Sequence, residues 1–112
     1  MPGASRRTVV SLRHVRGKRG LLSAFAMALD FPPGFGRNRD ALADGLQDLS
    51  WLPDSSHVLL LRDAANFAST APDEWSVLLD ILGSAADFWA GQDRVFIVWA
   101  EGISALPEFP IP

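Results

Sequence analysis

Two unbroken apolar runs set the strongest limit on how this chain folds: His57-Val-Leu-Leu-Leu-Arg62 and Arg94-Val-Phe-Ile-Val-Trp99. Each is short, bounded by polar sequence and free of alternation, the pattern of a strand buried on both faces. Thr8-Val-Val-Ser-Leu12 is a third short stretch, β-branched enough to be a strand. Helical patterns fill the two gaps between them. In the second gap, Asp63 to Ala68 predicts a single helical turn. A longer helix then runs from Pro72 to about Trp89, with proline and Asp73-Glu74 suited to its first turn. Gly91 closes it. Strands alternating with helices argue for parallel pairing through right-handed crossovers. The expectation is an α/β fold: a small three-stranded parallel sheet flanked by about four helices. The 112 residues suffice for one core and not two.

The first gap carries the more informative pattern. Leu21 to Leu29 reads as a helix, with Leu21, Leu22, Phe25 and Leu29 on one face, that Asp30 and Pro32-Pro33 must stop. A loop rich in proline and glycine, Phe31 to Gly36, follows. Asn38 then stands as an N-cap, its side-chain oxygen able to accept an orphaned backbone N–H. Leu42, Leu46 and Leu49 recur at helical spacing and extend that helix to Leu49. Asp40, Asp44 and Asp48 make a second stripe at i, i+4 and i+8, with no Lys or Arg at i+4 to pair them. Each like-charge pair costs the helix a few tenths of a kcal/mol. Asp40 recovers part of this from the macrodipole, and Asp48, near the C-terminus, does not. The stripe is either a solvated helix face or a set of carboxylates kept for a cationic partner. Trp51 to Ser56 reads as a turn.

Composition narrows the function classes. A hydrophobic fraction of 48% and a charged fraction of 21% are ordinary for a globular domain. No apolar run approaches the ~18 residues of a membrane span. The N-terminus lacks the apolar segment of a signal peptide, so the cytoplasm is the expected location. The absence of cysteine removes disulfides, thiolate–zinc sites and thiol nucleophiles together. The formal net charge of −3 conceals a split. Residues 1–20 hold Arg6, Arg7, Arg13, Arg16, Lys18 and Arg19 with no acid, a formal +6, and the rest carries 4 basic and 13 acidic side chains, a formal −9. Such a body attracts basic surfaces. The basic end lacks the interleaved aromatics of a nucleic-acid binder and is expected to be solvated or to make contacts within the domain. Residues 1–7 are expected to be a flexible lead-in, 8–100 the domain, and 101–112, with three prolines, a surface tail.

Little in the chain suits catalysis. No P-loop is present, and Gly34-Phe35-Gly36 has the wrong flanks for dinucleotide binding. His14 lies in a basic loop, and His57, beside Ser55 and Ser56, reads as a hydrogen-bonded residue at a strand edge. Asp40, Asp44 and His57 would make a metal site without a defined ligand set. A non-enzyme with no cofactor, no metal and no catalytic residues is expected.

Phe35-Gly-Arg-Asn-Arg-Asp-Ala-Leu-Ala-Asp44 resembles the signature of the barstar family, intracellular inhibitors of small secreted ribonucleases. That signature is an aromatic, Gly, any residue, Asn, any residue, Asp-Ala-Leu, any residue and Asp. Ala28-Leu-Asp-Phe-Pro32, Ser76-Val-Leu78 and the Val95–Trp99 strand are similar to other parts of the family pattern. The resemblance spans roughly residues 8–100 and is specific over 31–50. It implies a three-stranded parallel sheet with helices packed around it. It also implies a one-to-one complex with a ribonuclease whose basic active site is filled by a carboxylate in place of an RNA phosphate. By motif position Asp44 is that carboxylate, Asp40 the second acidic contact and Asn38 the residue at the loop–helix junction. Gly36 would permit the backbone turn, and Phe35, Gly34, Ala43, Gln47 and Asp48 would complete the partner surface, with an acid near Asp80 from the later helix. The chain departs from the family's best-known member. Gly34 stands for an aromatic, Ala43 for a tryptophan and Gly45 for a cysteine. The resemblance therefore implies fewer packing anchors, and a target that differs from barnase. Gly45 should also weaken its helix by up to about 1 kcal/mol relative to alanine. The rival within the same fold is a binding module for a basic protein that is not a nuclease.

Overall fold

Three parallel strands form one sheet in the order β1-β2-β3: β1 is Ser5–Ser11, β2 is Ser56–Arg62 and β3 is Phe96–Ala100. Four helices connect them. Helices α1 (Lys18–Ala28) and α2 (Arg39–Leu46) lie between the first two strands, and α3 (Ala64–Thr70) and α4 (Pro72–Gly91) between the last two. This computed structural model describes residues 5–36 and 38–103. Arg37, the first four residues and the proline-rich tail from Ser104 onward lie outside the described residues. The three-stranded parallel α/β expectation holds.

The strands are not buried on both faces. Thr8 and Val10 of β1, His57, Leu59 and Leu61 of β2, and Phe96, Val98 and Ala100 of β3 are buried. The alternate residues are not, and Val9 and Trp99, on the same register row as Leu60, are 47% and 48% exposed. The reason is the helix arrangement. Helix α1 packs on β1, α4 packs on β3, and α2 bridges α1 and α4, so one side of the sheet takes the core. The residues on the other side are half-buried or exposed yet mostly apolar, which is why no alternation is visible in the sequence.

That core is large for the chain. Phe25, Leu46, Leu49, Leu59, Leu61, Phe67, Leu78 and Leu82 are essentially inaccessible. Each such side chain contributes about 1.5–3 kcal/mol relative to exposure. Several boundaries differ from expectation. Strand β1 begins at Ser5 rather than Thr8, because Ser5-Arg6-Arg7 pair in register with Ser56-His57-Val58 and Arg6 Nε bonds Asp54 at 2.6 Å. Those three residues are thus part of the sheet rather than of a flexible lead-in. Helix α1 begins at Lys18, with no acidic residue in its first turn. Helix α2 stops at Leu46, three residues early, and Leu49 takes a left-handed backbone at φ 50°. Leu42, Leu46 and Leu49 nonetheless all reach the core.

Candidate partner-binding site

The loop ahead of α2 is braced by aromatic rings. Phe31, Phe35 and Trp51 pack edge to face in a closed triad, with centroids 5.0, 5.2 and 5.7 Å apart. Each such pair adds about 0.5–1.5 kcal/mol beyond the area it buries. Trp51 Nε1 donates to the Leu29 carbonyl at 2.9 Å, and Phe31 N donates to the Ala26 carbonyl at 2.9 Å, so the triad is tied to the end of α1. Phe35 and Trp51 are half-buried rather than core or free surface.

Pro33-Gly34 form the middle of a turn closed by Phe35 N donating to the Pro32 carbonyl at 3.1 Å. Gly34 has φ +91°, where glycine is required, so the turn belongs to Gly34 and not to Gly36. Gly36 instead lies under the Asn38 side chain, where a Cβ would sit 3.1 Å from Nδ2.

Asn38 caps α2 as expected. Its Oδ1 accepts from Ala41 N at 2.7 Å with an extended backbone, φ −147° and ψ 172°. Gly45 proves to be a packing requirement. A Cβ there would lie 2.6 and 2.7 Å from the Phe31 ring and 3.2 Å from Phe35, so the two rings rest directly on the helix backbone. The far end of α2 is held by Trp89 of α4, whose Nε1 donates to the Leu46 carbonyl at 2.8 Å. The near end is held by an ion pair between Arg39 and Glu74.

On this support Asp40 and Asp44 are exposed on successive turns of α2, and neither has an ionic or hydrogen-bond partner among the described residues. Arg39, the nearest described cation in sequence, is spent on Glu74. Asp48 is exposed too, but it stands beyond the helix end, with its N–H donating to the Gly45 carbonyl. Ala43 and Gln47 are partly buried. The structure thus brings Asp40, Asp44, Asn38, Phe35, Gly34 and Gly36 into one loop-and-helix unit and leaves Asp48 at its margin. On α4, Asp80 and Asp87 lie two turns apart along one shallow exposed concavity with Leu79, Gly83 and Ser84.

His57 overturns its expected role. It is fully buried on the core side of β2, its ring 5.6 Å from Trp89, and neither ring nitrogen has a hydrogen-bond partner among the described residues. Burial pushes its pKa below the ordinary value, an effect that Arg6 and Arg94 reinforce and Asp54 opposes. Sealed in the core, it does not join the exposed Asp40 and Asp44, and no group of three His, Asp or Glu side chains among the described residues could hold a metal ion. Its burial was legible in one respect: it shares a two-residue period with Leu59 and Leu61.

A family model described as barstar (barnase inhibitor) matches residues 6–101. The chain belongs to the barstar family. No curated protein sequence matches it. Membership carries an inhibitor role of the barnase type at the level of the family, and a ribonuclease as the kind of protein partner.

Proposed function

We propose that this protein is a ribonuclease inhibitor that closes the basic active site of its target with α2, in a one-to-one complex in the cytoplasm. It is not an enzyme. The observation that carries the reading is the pair Asp40 and Asp44, unpartnered among the described residues on a helix clamped at both ends, in a chain of the barstar family. Asp44 stands in for an RNA phosphate. Its two oxygens accept charge-assisted hydrogen bonds, bidentate where the donor is arginine. Asp40, one turn earlier, engages a second cation at the rim. Asn38 keeps the helix start rigid, so neither carboxylate must be ordered at the moment of binding, which lowers the entropic cost of association. The acidic body steers encounter with a basic target and speeds association. Gly34 and Ala43 offer little side-chain area, so the fit is to a nuclease whose rim needs no aromatic anchors from this loop.

The test is titration into a panel of small microbial ribonucleases, scored by residual RNA cleavage, with Asp44→Ala alongside. Inhibition saturating at one equivalent, and weakened about thirtyfold or more in Asp44→Ala, is the expected result. Equal inhibition by the variant would discard the phosphate-mimic mechanism. No inhibition across the panel would favour a basic partner that is not a nuclease, to be sought by pull-down.

A further inference from the structure

Among the described residues the outer edge of β1 is open, and its hydrogen-bonding groups can be assigned. Leu12 N donates to the Arg62 carbonyl of β2. The two-residue period of a strand then turns the N–H and C=O groups of Arg7, Val9 and Ser11 away from β2, toward the free edge. No backbone bond to these outward groups forms among the described residues. Alongside the edge runs a groove whose walls are Val9, Ser11 and Arg13 of the strand side and Gly20, Ala24 and Met27 of α1. Met27 is 78% exposed, so an adaptable thioether side chain stands uncovered by the described residues at the groove.

The exposed charges on the strand and on its connection into α1 are cationic, with Asp30 an exposed acid just past Met27. Arg7, Arg13, Arg16, Lys18 and Arg19 are all exposed, and none is ion-paired among the described residues; of the six cations in the first 20 residues only Arg6 has a carboxylate partner. Of these, Arg13 lines the groove, and Arg16, Lys18 and Arg19 follow in the connection and the first residues of α1. The positive end of the α1 dipole, with no acid in its first turn, adds to the same field.

We propose that this edge is a second interaction site, one that binds an extended acidic segment of a partner protein by adding it as a fourth strand beside β1. Main-chain bonds to Arg7, Val9 and Ser11 supply the register, alternate apolar side chains of the segment lie against Val9, Ala24 and Met27, and its carboxylates meet the five free cations. The same cations argue against a second copy of the chain, since edge-to-edge pairing would bring two strongly positive segments together. They argue less for RNA, because no aromatic side chain lines the groove to stack a base. The groove is also independent of the inhibitory face. It uses Gly20, Ala24 and Met27 of α1, whereas the pocket beside the aromatic loop uses Leu22 and Ala26, on nearly the opposite side of the helix.

The probe is a short capped peptide alternating Glu and Val, added to the full ¹⁵N-labelled chain and followed by amide hydrogen exchange. The expected result is slowed exchange at Arg7, Val9 and Ser11, with binding that weakens as salt rises from about 50 to about 200 mM. A Lys–Val peptide should not bind, and a Glu–Pro peptide, whose prolines remove every second N–H and resist the strand conformation, should bind more weakly than Glu–Val. Val9→Pro deletes an outward N–H at an edge position that tolerates proline, and should weaken the Glu–Val peptide about fivefold or more. Arg13→Glu, on an exposed side chain, should weaken it too and relax discrimination against the Lys–Val peptide. Four results would overturn the proposal. They are no peptide binding, full affinity in Val9→Pro, dimerisation through β1 in sedimentation, and tight binding of a single-stranded RNA oligonucleotide without protection of those amides.

Discussion

Helix α1 separates two surfaces built on opposite plans. On the α2 side, backbone polar groups are consumed internally by a cap, a turn and two tryptophan bonds, and what is displayed is side-chain carboxylate. On the β1 side the outward backbone groups are left unconsumed among the described residues, and the charge displayed by the strand is cationic. A sequence split between a formal +6 start and a formal −9 remainder becomes, in the fold, a split across one helix. A rigid carboxylate selects by geometry at a few atoms. An open edge selects by a repeating main-chain pattern and tolerates varied side chains. The two surfaces should therefore fail independently.

The largest effect expected is that dissociation. Asp44→Ala should cost about 2–5 kcal/mol of affinity for the target nuclease, the scale of leaving a cationic pocket desolvated and unpaired. It should leave the Glu–Val peptide unaffected, and Val9→Pro should do the reverse. Asp48→Ala sharpens the comparison, because its residue stands past the end of α2 and should alter inhibition by only a few-fold in the same RNA-cleavage titration. An Asp48 effect as large as that of Asp44 would mean that the acids act as a diffuse field rather than as placed ligands.

Gly45→Ala tests whether the α2 surface depends on its bracing. Helix propensity alone predicts a gain of up to about 1 kcal/mol. The Phe31 ring, 2.6 Å from the new methyl, predicts an overpacking loss of about 1–3 kcal/mol. The loss should win: urea unfolding should show a lower midpoint, inhibition should weaken, and peptide binding at β1 should stay unchanged. A more stable variant would show that the ring can swing aside and that the triad does not hold the loop.

Much of this architecture is written in local pattern, and the exceptions share a cause. The N-cap, the leucine stripe of α2 and the proline start of α4 are readable because each depends on neighbours within about four residues. Gly45 reads as a flaw because the reason for it, Phe31, is fourteen positions upstream. Ser5-Arg6-Arg7 reads as a tail because only pairing with residues 56–58 and the bond to Asp54 make it strand. Lys18 and Arg19 oppose the dipole at a helix start, so a pattern reader begins that helix at Leu21. The Val58–Leu61 run conceals an open sheet face because half-buried positions there are still apolar. His57 misleads through its serine neighbours, although its two-residue phase with Leu59 and Leu61 puts it on the core side.

His57 also predicts a pH dependence that both surfaces share, because β2 underlies the whole domain. The unfolded chain takes up a proton near the ordinary value of 6.5, whereas the folded chain refuses it until lower pH. Stability from this residue is therefore fully present above that value and lost as pH falls below it, by up to about 1.4 kcal/mol per pH unit. The charges flanking it are Asp54, Arg6 and Arg94. Thermal melts of His57→Leu should exceed the parent most at about pH 5.5, and the gap should narrow toward pH 8. A constant gap would mean that the ring titrates alike in both states and finds a partner in solution.

The smallest of these effects separates order from stability. Asn38→Ala removes one cap bond, worth about 1 kcal/mol in a helix of only eight residues. In thermal melts the loss should be no larger, because Leu42 and Leu46 still anchor α2 in the core and Trp89 still holds its far end. Inhibition should suffer beyond what the melt records, since Asp40 lies in the turn the cap organises and its carboxylate would have to be ordered on binding. Glycine at the same position retains helix stability better than alanine, losing only a few tenths of a kcal/mol. If Asn38→Gly and Asn38→Ala weaken inhibition equally while differing in the melt, the cap acts through the placement of Asp40. If inhibition instead tracks the melt, the cap serves the fold alone, and the rigidity of the α2 surface rests on the aromatic triad.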